Sequence, residues 1–422
     1  MEASNRSLVP HAWIVTAAAA TLLAVTMGQR SALGLFVSPL NTATGLGLAT
    51  ISFAMAVSQI VWGAAQPVAG VLADRYGPAK VISVGAVLLA AATAILPAGH
   101  GTLTLVAALC LGAAAGAAAG SNAMLLGIVS QRVAAERRGL MVGVVSAGGS
   151  AGQLVLAPVA QTLILLSGWA NALYALAALS LVALPLARLL EPRSTDGTAT
   201  SADNPAAPPP AAALRDALRT KAYWLISAGF FVCGFHVAFL LAHMPGVIEL
   251  CGLPSRLAGI WIAVIGLCNI VSSIVSGLAI RRVPMKWVLA ALYAARAAGV
   301  AVFVVMPKTE TTLLAFALWM GLTYMATLPP TSGLLGKLFG VERLAPLLGV
   351  TMLVHQVGSF LGVWLGGVAI VQTGSYDVLW MVDAALAVVA ALLHLPLREP
   401  ANERAPGRSP AVAAAQPLPS AT

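Results

Sequence analysis

Residues Gly70–Lys80 read GVLADRYGPAK. Long apolar runs flank the stretch on both sides, and it gathers Gly70, Asp74, Arg75, Gly77 and Lys80 within one short turn. A connection between two spans needs only a few polar residues and a glycine. A carboxylate and two cations in a fixed order around two glycines go beyond that need.

The composition sets the environment of this turn. Of 422 residues, 59% are hydrophobic and 9% charged, against about 25% charged in a soluble domain. Mean hydropathy is +0.91. A soluble enzyme does not fit these values, whereas a polytopic membrane protein does. The net charge of +9 does not form a nucleic-acid-binding patch, because Lys and Arg fall on alternate loops. Arg256 and Lys308 lie on the side away from Gly70–Lys80, Arg30 and Arg296 lie inside apolar spans, and every other Lys or Arg falls on the turn's own side. By the positive-inside rule that side is cytoplasmic, and so are both termini.

The spans run at about 12–38, 48–72, 79–97, 102–130, 139–166 and 169–190, then at about 223–249, 256–280, 287–306, 311–337, 344–371 and 375–397. Each meets the length of about 20 residues that a crossing needs. Met1–Pro10 reads as a short polar tail, and the run from Trp13 as a first span rather than a cleavable signal. This divides the chain into a six-helix bundle over 1–190, a Pro/Ala/Ser/Thr-rich cytoplasmic linker over 191–221, a second six-helix bundle over 222–400, and a disordered cytoplasmic tail over 401–422. The two bundles repeat. Gly70 and Gly277 are 207 residues apart; Glu136 and Glu342, Gly143 and Gly349, and Ser167-Gly168 and Thr373-Gly374 are each 206 apart; Glu191-Pro192 and Glu399-Pro400 are 208 apart. In the second copy of the turn, Gly277–Lys286, the aspartate is lost. The expected fold is all-α, with twelve transmembrane helices in two pseudo-symmetric six-helix bundles and the site between them.

The four cysteines show no CxxC spacing and no disulfide framework. The pentad Gly148–Gly152 matches G-x-S-x-G, but a nucleophile elbow needs a strand, a sharp turn and a helix. Inside an apolar helix, small residues mean close helix packing, and the same reading applies to Gly112, Gly116 and Gly120. No metal cluster or cofactor motif is present in the sequence, and no enzymatic activity is expected.

Ionisable residues inside spans are costly, which makes them candidates for function. They are Arg30, His236, His243, Arg296, His355 and Asp383. Arg30 has no acidic neighbour in its half and suits a carboxylate held by two parallel bonds; snorkelling to the outer interface is the alternative. His236, His243 and His355 either bind substrate, carry a proton, or are merely hydrogen-bonded. Asn122, Gln153, Asn269, Tyr324 and Thr327 are neutral candidates, with Gln356 beside His355. Ser52, Gln59 and Gln66 repeat at seven on the second span, a polar stripe that either faces the other half or serves helix contact alone. Arg296 and Asp383 fall at depths of about 14 Å and 19 Å from the inner side, and are expected to form a structural ion pair.

The turn resembles the G-x-L-a-D-r-x-G-r-k signature of the major facilitator superfamily between helices 2 and 3, departing at Pro78 and Ala79. The resemblance covers the whole chain. It implies alternating access, with helices 1, 4, 7 and 10 lining a central cavity and Gly70, Asp74, Arg75, Gly77 and Lys80 forming a conformational latch. Arg30-Ser31 with Phe36 resembles helix 1 of the monocarboxylate porters, where a lysine precedes the serine. Ile265–Gly277 resembles their helix 8, but Asn269 and Ser273 stand where that family has an aspartate and an arginine for proton coupling and substrate binding. The related oxalate–formate exchangers carry a basic residue on helix 11, a place His355 fills. Drug–proton antiporters carry G-x-x-x-G-P-x-x-G-G on helix 5, and here Ala157 and Ala160 replace two of its glycines. The expected function is secondary transport of a small organic anion, a monocarboxylate foremost, with possible proton coupling. The alternative is a proton-coupled exporter of drugs or other small solutes. A multi-pass monomer in a bacterial inner membrane completes the expectation.

Overall fold

The computed structural model describes residues 2–99, 101–133, 135–191, 215–340 and 343–400. Most of the expected linker, the tail and Glu342 lie outside these residues. Among the described residues, twelve helices are long and apolar enough to cross a membrane. They are α1 (Ala12–Thr44), α2 (Leu48–Tyr76), α3 (Pro78–Ala98), α4 (Thr102–Arg132), α5 (Arg137–Ser167), α6 (Trp169–Leu189), α7 (Lys221–Leu250), α8 (Arg256–Ala279), α9 (Met285–Val305), α10 (Glu310–Phe339), α11 (Pro346–Thr373) and α12 (Asp377–His394). The expectation of an all-helical membrane protein with twelve spans holds.

The Gly70–Lys80 turn is mostly helix. Asp74 and Arg75 belong to the last turn of α2, which runs to Tyr76, and Pro78 is the first residue of α3. Only Gly77 lies between them, at φ +90°, a conformation that a side chain makes costly. Pro78 suits a first helical position, where its missing N–H is not needed. No side chain from Gly77 caps α3. The Ala79 N–H donates instead to the Glu191 carboxylate, 3.2 Å away at the end of α6. The second half repeats the device: the Lys286 N–H at the start of α9 donates to Glu399 at 3.3 Å. The repeated Glu-Pro pairs thus each place a carboxylate on a helix N-terminus, where the helix dipole favours it.

Within the first half α1 packs on α5, α2 on α4, and α3 on α4 and α6; within the second, α7 packs on α11, α8 on α10, and α9 on α12. The Gly148–Gly152 pentad serves the first of these contacts. A Cβ at Gly148 or Gly152 would overlap the backbone of Ala20 or Ala24 on α1, so close approach is the role of the pentad. The halves meet through α2 against α11 and α5 against α8. Named contacts between them fall away from the Gly70–Lys80 side. Phe53 packs edge-on to Trp364, and a Cβ at Gly34 would overlap the Leu241 carbonyl. Asp74, Arg75 and Lys80 remain exposed, so the halves are closed on the far side.

Two spans are interrupted at mid-depth. In α4 the helix breaks at Ser121, with ψ at 152°, and restarts at Asn122. In α10 the helix ends at Tyr324, passes through a 3-10 turn, and restarts at Leu328 ahead of Pro329 and Pro330. Freed carbonyls inside a bilayer need new donors. The Thr26 hydroxyl on α1 donates to the Gly120 carbonyl at 2.8 Å. Ser276 on α8 donates to the Ala326 carbonyl at 2.6 Å, the group that Pro330, lacking an N–H, leaves open.

Candidate functional site

A cavity of about 190 Å³ lies between the halves. It far exceeds the 10–15 Å³ that one water needs. Arg30 and Ser31 of α1, Gln59, Trp62 and Gln66 of α2, Asn122 of α4, Gln153 of α5, Cys233 of α7, Tyr324 and Thr327 of α10, and His355 and Gln356 of α11 line it. The breaks in α4 and α10 bring Asn122 and Tyr324 to the wall.

Arg30 is the one permanent charge among the described lining residues, and no carboxylate joins it. Its guanidinium stands 4.6 Å from the centre of the Trp62 ring, a cation–π contact. Its Nη2 hydrogen-bonds the Gln59 side-chain oxygen. These two residues hold the side chain against α2, and among the described residues its remaining donors meet no acceptor. The same three residues form the wall to a smaller void of about 70 Å³ inside the first half. Arg30 therefore faces the interior and does not snorkel outward.

Of the seven expected binding residues, Arg30, Asn122, Tyr324 and His355 come together on this wall. His236, His243 and Asn269 do not. His243 is buried, with Nε2 2.8 Å from the Val363 carbonyl and Nδ1 3.4 Å from the Tyr376 hydroxyl; it joins α7 to α11 and to the start of α12. Asn269 is fully buried and donates to the Gln153 oxygen at 3.1 Å, crossing between the halves and reaching the cavity only through Gln153. His236 points away from the cavity into the second half. These placements correct the expectation that helix number alone brings a polar residue to the cavity: the face of the helix decides. The stripe on α2 divides as well. Gln59 and Gln66 line the cavity, whereas Ser52 sits against Gly367 on α11.

The expected Arg296–Asp383 ion pair is also corrected. Arg296 donates through Nη2 to the Thr323 and Tyr324 carbonyls at 2.5 and 2.7 Å. These carbonyls end the first segment of α10, where the helix dipole is negative, so the break supplies acceptors closer than the carboxylate. Asp383 Oδ2 instead meets His236 Nδ1 at 2.6 Å. Depth along the spans agrees with proximity but does not choose between partners.

Trp62 and Cys233 are wall residues that the sequence reading missed. Trp62 follows Gln59 by three and precedes Gln66 by four, which is the spacing of one helix face, so the stripe carried the signal. Cys233 carried none.

The family follows from the whole chain. A family model described as Major Facilitator Superfamily matches residues 19–319 and 252–421. The chain belongs to the major facilitator superfamily. Among members of that superfamily it is similar to monocarboxylate transporter 11 of Homo sapiens, 29% identical over 403 residues and covering 91% of this chain and 82% of the relative. It is also similar to monocarboxylate transporter 13 of Bos taurus, at 26% identity, covering 91% of this chain and 89% of the relative. The crystal structure of a D-xylose–proton symporter matches with a TM-score of 0.71 at 16% identity, covering 91% of this chain and 97% of that one. At that identity the match speaks for the shared superfamily fold.

Proposed function

We propose that this transporter moves a small organic anion, a monocarboxylate foremost, by alternating access in a bacterial inner membrane with both termini cytoplasmic. The observation that carries the reading is Arg30: a cation fixed by Gln59 and Trp62 on the wall of a cavity without a carboxylate. A planar guanidinium with one edge free suits two parallel hydrogen bonds to a carboxylate. Asn122, Tyr324 and His355 stand ready for the rest of the molecule. The names of the relatives support the same substrate class. The positive-inside pattern supports the orientation, in which this conformation faces inward. Asp74, exposed here, latches the halves when the carrier faces outward, with Gly70, Arg75, Gly77 and Lys80 shaping its turn.

The test is counterflow of labelled lactate or pyruvate in proteoliposomes holding wild type, Arg30→Ala and Arg30→Lys. Loss of a buried charge-assisted contact is worth about 1.5–3 kcal/mol, so Arg30→Ala should lower counterflow by one to two orders of magnitude. Arg30→Lys should retain part of it, since it keeps the charge and loses the fork. Wild-type counterflow in Arg30→Ala sinks the proposal.

A further inference from the structure

We propose that His236 and Asp383 form a proton-binding site that couples this carrier to protons from behind the cavity wall. The inference rests on the anion-transport reading for its substrate and on separate geometry for its site. His236 is 1% exposed and Asp383 0%, and neither lines the cavity. Nδ1 of the ring lies 2.6 Å from Oδ2. Two bare lone-pair atoms repel at that separation, so a proton resides on one of them. The other ring nitrogen, Nε2, lies 3.2 Å from the Met320 sulfur, and a thioether only accepts. Both ring nitrogens therefore face acceptors. The arrangement suits a pair holding one proton more than a neutral imidazole beside a carboxylate, either as imidazolium and carboxylate or with both groups neutral.

Nothing else in the described residues anchors the carboxylate. Both Asp383 oxygens and His236 Nδ1 are buried without a directed hydrogen bond, so the close Nδ1–Oδ2 approach is a charge contact. A buried polar group left so calls for a reason, and a site whose proton comes and goes supplies one. The surrounding ionisable groups are Cys233 and His243 on α7, Tyr293 and Arg296 on α9, Tyr324 on α10 and His355 on α11. Only Arg296 among them is permanently charged. With Arg296 fixed at +1, the empty pair is −1 and the loaded pair neutral. An anion beside Arg30 lowers the cost of loading, and by reciprocity the loaded pair favours the anion. The path to water is short. Cys233 and Val237 flank His236 and line the cavity, as does Tyr324, whose carbonyl receives Arg296. The step is a proton transfer between cavity water and the pair, with no other bond made or broken. It supplies a proton-holding pair to a carrier whose α8 has Asn269 and Ser273.

The test uses the full chain in proteoliposomes with labelled lactate, wild type beside Asp383→Asn and His236→Gln. Wild type should accumulate lactate down an imposed pH gradient, about tenfold per pH unit for one proton per anion. Asp383→Asn, which keeps the site neutral, should keep counterflow at the wild-type rate and lose that accumulation; His236→Gln should lose the accumulation as well. In parallel, 15N-histidine NMR of the protein in detergent should show both His236 ring nitrogens protonated in wild type at about pH 6, with one proton lost in Asp383→Asn. Wild-type accumulation by Asp383→Asn overturns the proposal, as does loss of counterflow in both variants, which would make the pair scaffold. Should wild type fail to exchange lactate or pyruvate, the substrate reading fails alone; the NMR result still decides the proton site, and a ring with one unchanging protonated nitrogen overturns it.

Discussion

In the first half the break in α4 leaves the Gly120 carbonyl to the Thr26 hydroxyl, and the cation within α1, Arg30, faces the cavity. In the second half the break in α10 leaves two carbonyls to Arg296, and the buried carboxylate turns to His236. The same architectural problem, an interrupted span at mid-membrane, is met by a hydroxyl alone in one copy and by a charge beside the Ser276 hydroxyl in the other. A neutral repair leaves Arg30 free for a ligand. A charged repair commits Nη2 of Arg296, and a second ionisable pair lies beside it, away from the wall. Duplicated folds can in this way separate ligand contact from charge storage without changing their helices.

The difference can be broken most sharply at Arg296. Arg296→Ala removes the donor to the Thr323 and Tyr324 carbonyls and leaves Asp383 without its nearest permanent cation. Leaving one member of a buried charge set uncompensated costs about 3–5 kcal/mol, so the variant should melt lower than any other single change considered and express poorly. A melting temperature equal to wild type would mean that the second break needs no charged repair. Thr26→Val is the matching change in the first half. It removes a neutral donor from a buried carbonyl, at about 1–3 kcal/mol. Its melting temperature should fall less than that of Arg296→Ala, and a larger fall would reverse the comparison.

The smallest effect tests the symmetric part of the plan. Glu191→Gln and Glu399→Gln each weaken a carboxylate placed on a helix N-terminus, worth about 1 kcal/mol for a cap of this kind. Glu399 also bridges Lys337 at 3.0 Å and is largely buried, whereas Glu191 is exposed. The second-half variant should therefore lose more stability on thermal denaturation. Equal losses would show that the lysine adds nothing to the cap.

Much of this was legible in the amino-acid order. Twelve apolar runs and their alternating charges fixed the helices and supported an orientation, because a bilayer admits few backbone solutions. The offset of the Glu-Pro pairs foretold two matching sites without saying what the carboxylates do. Arg30 was legible as well, since a cation within an apolar run has few reasons to be there. The neighbours of each ionisable group were not legible. Depth along a span places a residue to within a helical turn, whereas a hydrogen bond is decided within a few tenths of an ångström. Asp383 thus met His236, and Arg296 met carbonyls that became acceptors only because α10 breaks ahead of Pro329 and Pro330. His243 and Asn269 belong to helices that pass the site but occupy faces turned from the cavity. The chain determined which segments cross the membrane and which charges they carry in with them. Only the packing of those segments decided which charges face the cavity and which meet each other, because a helix rotates a side chain by about 100° per residue and the sequence alone does not say which face turns inward.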